Sequence, residues 1–251
     1  MSLCYMSSPR VFVPGDAVDA TLLPNPHQRR KIGHGLQQSS DSDNFVATIA
    51  GSLDVDYRKK TALISTPTAR YTPHVGDIVI AQVRSSGADM FQLYINSHSQ
   101  QAFLPHLAFE GATKKTRPQL KANDLVYAKV VFARRGMEVE LSCVNPSTGK
   151  AEPDGLGPLN GGMVFDVSVG LAERMLKKQN TSFLNELGAK IQGGFEIAVG
   201  SNGKVWVDCP GLGVKGVCAV GRCLDTVDGG QLGEKEQKKL VDRVCQGLGI
   251  G

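Results

Sequence analysis

A mainly β chain closed by an α+β domain is what this sequence predicts, and three observations carry the prediction. Glycine supplies 29 of 251 residues, high for a helical protein and a sign of many turns. Short runs rich in Val, Ile, Tyr and Phe recur between residues 45 and 143, with turn residues between them. Helical spacing comes in the last third, most clearly in "EKEQKKLVDRVCQGL", where Leu240, Val244 and Leu248 share one i, i+4 stripe.

Taken in order, residues 1–70 read as an N-terminal β domain. "RVFVPGDAV" sets Val11, Val13 and Val18 around a Pro14-Gly15 turn followed by Asp16, and "HGLQQSSDSDN" reads as a mobile loop. "NFVATIAG", "SLDVDYRK" and "KTALISTP" follow as three short strands. Residues 71–144 tighten into five strand runs: "VGDIVIAQVRSS", "DMFQLYINS", "QAFLPHLAF", "NDLVYAKVVFA" and "MEVELSCV". Five strands with short turns suit an OB-type barrel, a fold whose strand faces and loops hold nucleic acid. The Gly/Pro-rich run 145–162 reads as a linker. In 163–251, "MVFDVSV" is a strand, "GLAERMLKK" and "TSFLNELGAKI" are helices, and "FEIAVG" and "KVWVD" are strands. "VGRCLDTV" and the final stripe complete this α+β domain as helices.

Charge is uneven along the chain. Residues 71–150 hold nine cations against six anions, whereas 151–251 hold eleven against twelve. Between Gly111 and Arg135 seven cations face only Asp124. Such an excess is the footprint of a phosphate-contacting surface, with a solvated basic face as the alternative. No apolar run approaches the ~18 residues of a membrane span and the first thirty residues hold no signal-peptide core, so a soluble intracellular protein is expected. The six cysteines match no common zinc spacing and read as small core residues. All five histidines precede position 107, and nuclease, hydrolase and P-loop constellations are missing, which argues against an enzyme and against a metal or cofactor.

The order of the three pieces, with "LAFEGATKKTRPQL", "NDLVYAKVVFARRGMEVELSC" and "VGSNGKVWV", resembles the S1-and-KH cap subunits of the RNA exosome. Within them it is most similar to the ribosomal RNA-processing protein 40 family. The resemblance implies a non-catalytic subunit that sits with other cap subunits on a ring of RNase-PH-like proteins and guides RNA to a separate nuclease. It also implies residence in the nucleus and nucleolus and in the cytoplasm. The N-terminal and KH pieces would grip the ring while the barrel faces the pore. A free-standing RNA-binding or translation-associated factor is the competing expectation.

Lys114, Lys115 and Arg117 are the strongest RNA-contact candidates, because Gly111 before them and Pro118 after them argue against a regular buried element. Lys121, Arg84, Arg134, Arg135 and His106 complete the candidate set on the barrel. Phe91 and Phe103 read as core, although exposed aromatics on such a barrel can stack bases. The run Gly200-Ser201-Asn202-Gly203 has the G-x-x-G spacing of a KH phosphate clamp, yet strands flank it on both sides. Asn202-Gly203 also favours a type I′ hairpin, so the run reads as a structural turn, with the clamp as alternative. Trp206, just beyond it, is expected to be buried. With Gly15, these positions form the structural and interface set.

Overall fold

The computed structural model describes residues 11–19, 21, 23, 31–33, 35–39, 45–56, 61–66, 70–96, 101–134, 136–145, 148–151, 155–177, 181–230 and 232–250. They fall into two compact units, 1–69 and 70–251.

The first unit is built from seven short strands: β1 (Val11–Phe12), β2 (Ala17–Val18), β3 (Lys31–Ile32), β4 (Leu36–Gln38), β5 (Phe45–Ala47), β6 (Gly51–Asp56) and β7 (Thr61–Ser65). They form two small sheets, ordered β1-β6-β7-β3 and β2-β5-β4. Phe12, Val18, Leu36, Phe45 and Ile64 are buried together between them. The Pro14-Gly15 turn joins the sheets: Asp16 N donates to Val13 O at 3.0 Å, and Gly15 N donates to Ala47 O at 2.8 Å. Gly15 sits at φ +99°, the left-handed conformation that position i+2 of a type II turn demands. Part of the expected mobile loop is instead strand β4. Its single apolar residue, Leu36, lies opposite Ala47, so it pairs without showing any period in the sequence. Residues 34 and 40–44 of that loop lie outside the described set.

The second unit opens with a closed five-strand barrel: β8 (Ile78–Ser86), β9 (Met90–Tyr94), β10 (Gln101–Pro105), β11 (Leu125–Phe132) and β12 (Val139–Ser142). The strands run β12-β10-β9-β8-β11 and close through β11–β12; β10 and β12 are parallel and the other pairs antiparallel. Val79, Ala81, Val83, Val126, Ala128 and Val130 fill the interior in strand alternation. The Gly/Pro-rich stretch expected as a linker contributes a further strand, β13 (Gly157–Leu159), on β11, and Leu156 is buried in the barrel's cluster. Only three residues long and containing Pro158, β13 reads as coil from composition.

The rest of the unit runs β14 (Met163–Asp166), α1 (Val169–Leu176), α2 (Ser182–Lys190), β15 (Glu196–Gly200), β16 (Lys204–Asp208), α3 (Val214–Gly229) and α4 (Glu234–Leu248). An antiparallel sheet, β14-β16-β15, packs on the helices through Val205, Val207, Leu171, Phe183, Val220, Leu224 and Val241. The N-terminal amides of α1 and α2 find side-chain acceptors, a local N-cap in α1 and a residue of α4 in α2. Ser168 Oγ accepts from Leu171 N at 3.1 Å, and Asp228 accepts from Ser168 in turn. Gln237, fully buried, accepts from Phe183 N at 3.2 Å. Among the described residues no helix is long and apolar enough to cross a membrane.

Candidate nucleic-acid interface

Strand β10 ends at Pro105, and the chain then makes two turns, Ala108 N donating to Pro105 O and Ala112 N to Phe109 O. Phe109 and Leu120 are both buried in the barrel cluster, so the segment between them is pinned at its two ends and bulges outward. Threonine hydroxyls organise that bulge. Thr116 Oγ1 donates to Gly111 O at 3.1 Å and accepts from Thr113 N at 3.0 Å, while Thr113 Oγ1 accepts from the amides of Lys115 and Thr116 at 3.3 Å. Lys114 and Lys115 are exposed on it and have no ion-pair partner among the described residues. The neighbouring carboxylate, Glu110, accepts a 2.7 Å hydrogen bond from Ala151 N. Here the sequence missed the two threonines, whose T-x-x-T spacing is the readable trace of a side-chain-stabilised turn.

Strand register shows which candidates come together. Met90 lies opposite Pro105 and Phe91 opposite Ser86, so the end of β8, the end of β10 and the start of β11 meet at one end of the barrel. That end carries Lys114, Lys115, Arg117 and also Lys121, whose turn hydrogen-bonds to Val83 through Asn123 and Asp124. Arg84, next to Val83, is exposed, with its guanidinium 5.4 Å from the centroid of the half-exposed Tyr94 ring. Arg134, exposed, lies in the β11–β12 turn at the opposite end, away from this group. Arg135 lies outside the described residues. Phe91 is buried as expected, whereas Phe103 is only half-buried because its side chain alternates to the barrel's outer face.

His106 corrects the expectation of an RNA-contacting ring. Only 5% exposed, it packs on Phe91 with ring centroids 4.2 Å apart. Its Nδ1 lies 2.6 Å from an Arg117 guanidinium nitrogen, and its Nε2 is buried without a partner. No free imidazole face remains on which a base could stack.

The G-x-x-G run is equally inaccessible. Asn202, 5% exposed, donates from Nδ2 to Ile80 O at 2.9 Å and Ile95 O at 2.8 Å, and its Oδ1 accepts from Ile80 N at 3.2 Å. Ser201 N donates to Ile78 O at 2.7 Å. The turn is therefore plugged into the side of the barrel. A three-residue loop links Gly200 to Lys204, with Gly203 N donating to Gly200 O and only Gly203 at positive φ, +75°. That is a type I turn followed by a left-handed glycine, where type I′ was expected, because Asn202 keeps ordinary φ while its side chain reaches inward. A Cβ on Gly200 would meet Asn202 Oδ1 at 2.3 Å, so these glycines serve close packing rather than phosphate approach. Trp206, also on this face, is buried in the barrel's cluster, and its Nε1 donates to Gly161 O at 2.9 Å. Beside it, Tyr127 donates to Val199 O at 3.0 Å.

Among the described residues Cys143, Cys209, Cys223 and Cys245 are buried free thiols, and burial pushes Cys143 and Cys223 up to about 12. Among the described residues no cluster of three His, Cys, Asp or Glu could hold a metal ion.

Residues 71–157 match the family model described as exosome complex component RRP40, S1 domain, and residues 162–211 match a KH domain model. Exosome complex component RRP40 of Saccharomyces cerevisiae is 33% identical over 79% of this chain and 81% of its own. The Drosophila melanogaster protein of the same name is 34% identical over 95% of both chains. A crystal structure of a candidate exosome complex RNA-binding protein superposes with a TM-score of 0.54 at 22% identity, covering 71% of this chain and 97% of that one, a likeness of fold.

Proposed function

The chain belongs to the family of exosome complex component RRP40, and from that premise we propose that it is a non-catalytic cap subunit of an RNA exosome. It binds single-stranded RNA without sequence preference and stabilises a ring of RNase-PH-like subunits beside other cap subunits. RNA is guided into the channel for 3′-to-5′ degradation and processing by a separate nuclease. Its place of work is the nucleus and nucleolus, and also the cytoplasm.

One observation carries the RNA reading: Lys114 and Lys115 are exposed, with no ion-pair partner among the described residues, on a loop whose backbone is already organised, at the barrel end that also bears Lys121 and Arg84. Phosphates neutralised there need no ordering of the loop, and lysine contacts to phosphate read no bases. A salt titration of RNA binding by the assembled complex tests it. Replacing Lys114, Lys115 and Arg117 by Ala is expected to shrink the salt slope of log K by up to about 2, at roughly 0.7 per lost single-strand phosphate contact. The loss should be equal for unrelated sequences. An unchanged slope would move the RNA path off this loop.

A further inference from the structure

We infer that His106 is the positioning residue of the basic loop, acting through Arg117 as a proton-sensitive tether between the loop and the barrel wall. Arginine cannot give up its proton and has only donors, so the 2.6 Å contact requires His106 Nδ1 to be the acceptor. The imidazole is then neutral with its proton on Nε2, and Nε2 is buried and unpaired. An unpaired buried donor is a poor choice for a position whose only task is to fill space on Phe91; Leu or Met would fill it without that cost. What the histidine adds is the acceptor for Arg117. That contact fixes the loop's second half, as the Thr113–Thr116 hydroxyl pair fixes its first, with Lys114 and Lys115 held outward between them.

The tether has a defined sensitivity to acid. The charged groups facing the imidazole are Arg117 from the loop and Asp89 from the β8–β9 turn. Burial and then the Arg117 charge hold His106 below the usual histidine value, with Asp89 opposing them. The neutral, accepting form therefore prevails at neutral pH. As pH falls from the ordinary histidine range through the lowered folded value, the ring takes a proton on Nδ1, loses its acceptor, sets a cation against the guanidinium and releases Arg117.

The inference rests on the RNA reading only in its last arm. In the full chain, nitrogen NMR of His106 at pH 7.5 is expected to show Nε2 protonated and Nδ1 accepting. Its titration midpoint should lie below 6.5, and Arg117→Ala should move that midpoint up. Backbone relaxation at Lys114 to Thr116 should show an ordered loop at pH 7.5 that loosens as His106 protonates. His106→Ala should loosen it at all pH values, while His106→Gln, whose amide oxygen can accept from Arg117, should keep it ordered without a pH response. A midpoint indifferent to Arg117→Ala, or loop amides indifferent to His106 protonation and to His106→Ala, overturns the tether.

In the assembled complex, His106→Ala should weaken RNA binding about three- to tenfold through the ordering the loop must then undergo, with the salt slope unchanged. Lys114→Ala with Lys115→Ala should instead lower the slope. Should RNA ignore both lysines while the NMR coupling holds, the RNA reading fails and the tether stands. Should the lysines matter while His106→Ala keeps the parent's affinity and loop order, the tether fails alone.

Discussion

Two short loops of the same unit, Gly111 to Pro118 and Gly200 to Gly203, look alike as text: each is polar and closed by residues that break regular structure. Folding sends them to opposite fates. The first is held by its own threonines and turns its lysines to solvent. The second turns its asparagine inward, where both Nδ2 donors go to the carbonyls of Ile80 and Ile95 and Oδ1 accepts from the amide of Ile80. The KH signature thus serves adhesion between two parts of the chain, while a loop that matches no short motif leaves its lysines in solvent. Spacing alone does not assign a phosphate clamp; the groups that surround the motif do.

Three substitutions sharpen this contrast, in order of falling effect on stability. Trp206→Arg should cost about 4 kcal/mol, since a guanidinium would replace an indole buried against the barrel and could not pair there. Denaturant unfolding of the full chain measures it, and a midpoint equal to the parent's would remove Trp206 from the adhesive face. Asn202→Ala should cost about 3 kcal/mol by stranding buried partners of three hydrogen bonds, with no RNA-specific loss in the molecules that fold. A stable Asn202→Ala variant that binds RNA tenfold more weakly would restore the clamp and break the comparison. Lys114→Ala with Lys115→Ala should change stability by less than about 0.5 kcal/mol, because both side chains are exposed and neither has an ion-pair partner among the described residues. A larger fall would mean that these lysines hold structure.

Strands and helices were legible where apolar residues keep a period over five or more positions, as in β8, β11 and α4. Leu36 to Gln38 and Gly157 to Leu159 were not, because a two- or three-residue strand is stabilised by its partner's edge rather than by its own pattern. The interface between barrel and KH piece left one unread trace. In "DIVIAQV", Ile78 and Ile80 are apolar on the face that should be wet, and Tyr127 repeats the sign on β11, directly opposite Ile80. Apolar residues on both faces of a barrel strand mean that something covers the outside. For the site, the exposure of Lys114 and Lys115 could be argued from Gly111 and Pro118. The burial of His106 could not, since it depends on Phe91 on β9 and Arg117 in the following loop, which meet the ring only once the barrel closes.

The covered strand has a consequence for modularity. Val79, Ile80 and Ala81 are buried in succession because the barrel's interior takes two of them and the hairpin of the neighbouring fold takes the third. An excised barrel would expose Ile80 and Tyr127 to water, and an excised KH piece would expose Trp206 and Asn202. Residues 70–251 form one compact unit, and the two family segments within it are expected to unfold together. Recombination with a relative would therefore have to exchange hairpin and strand together, since either alone carries half of a lock.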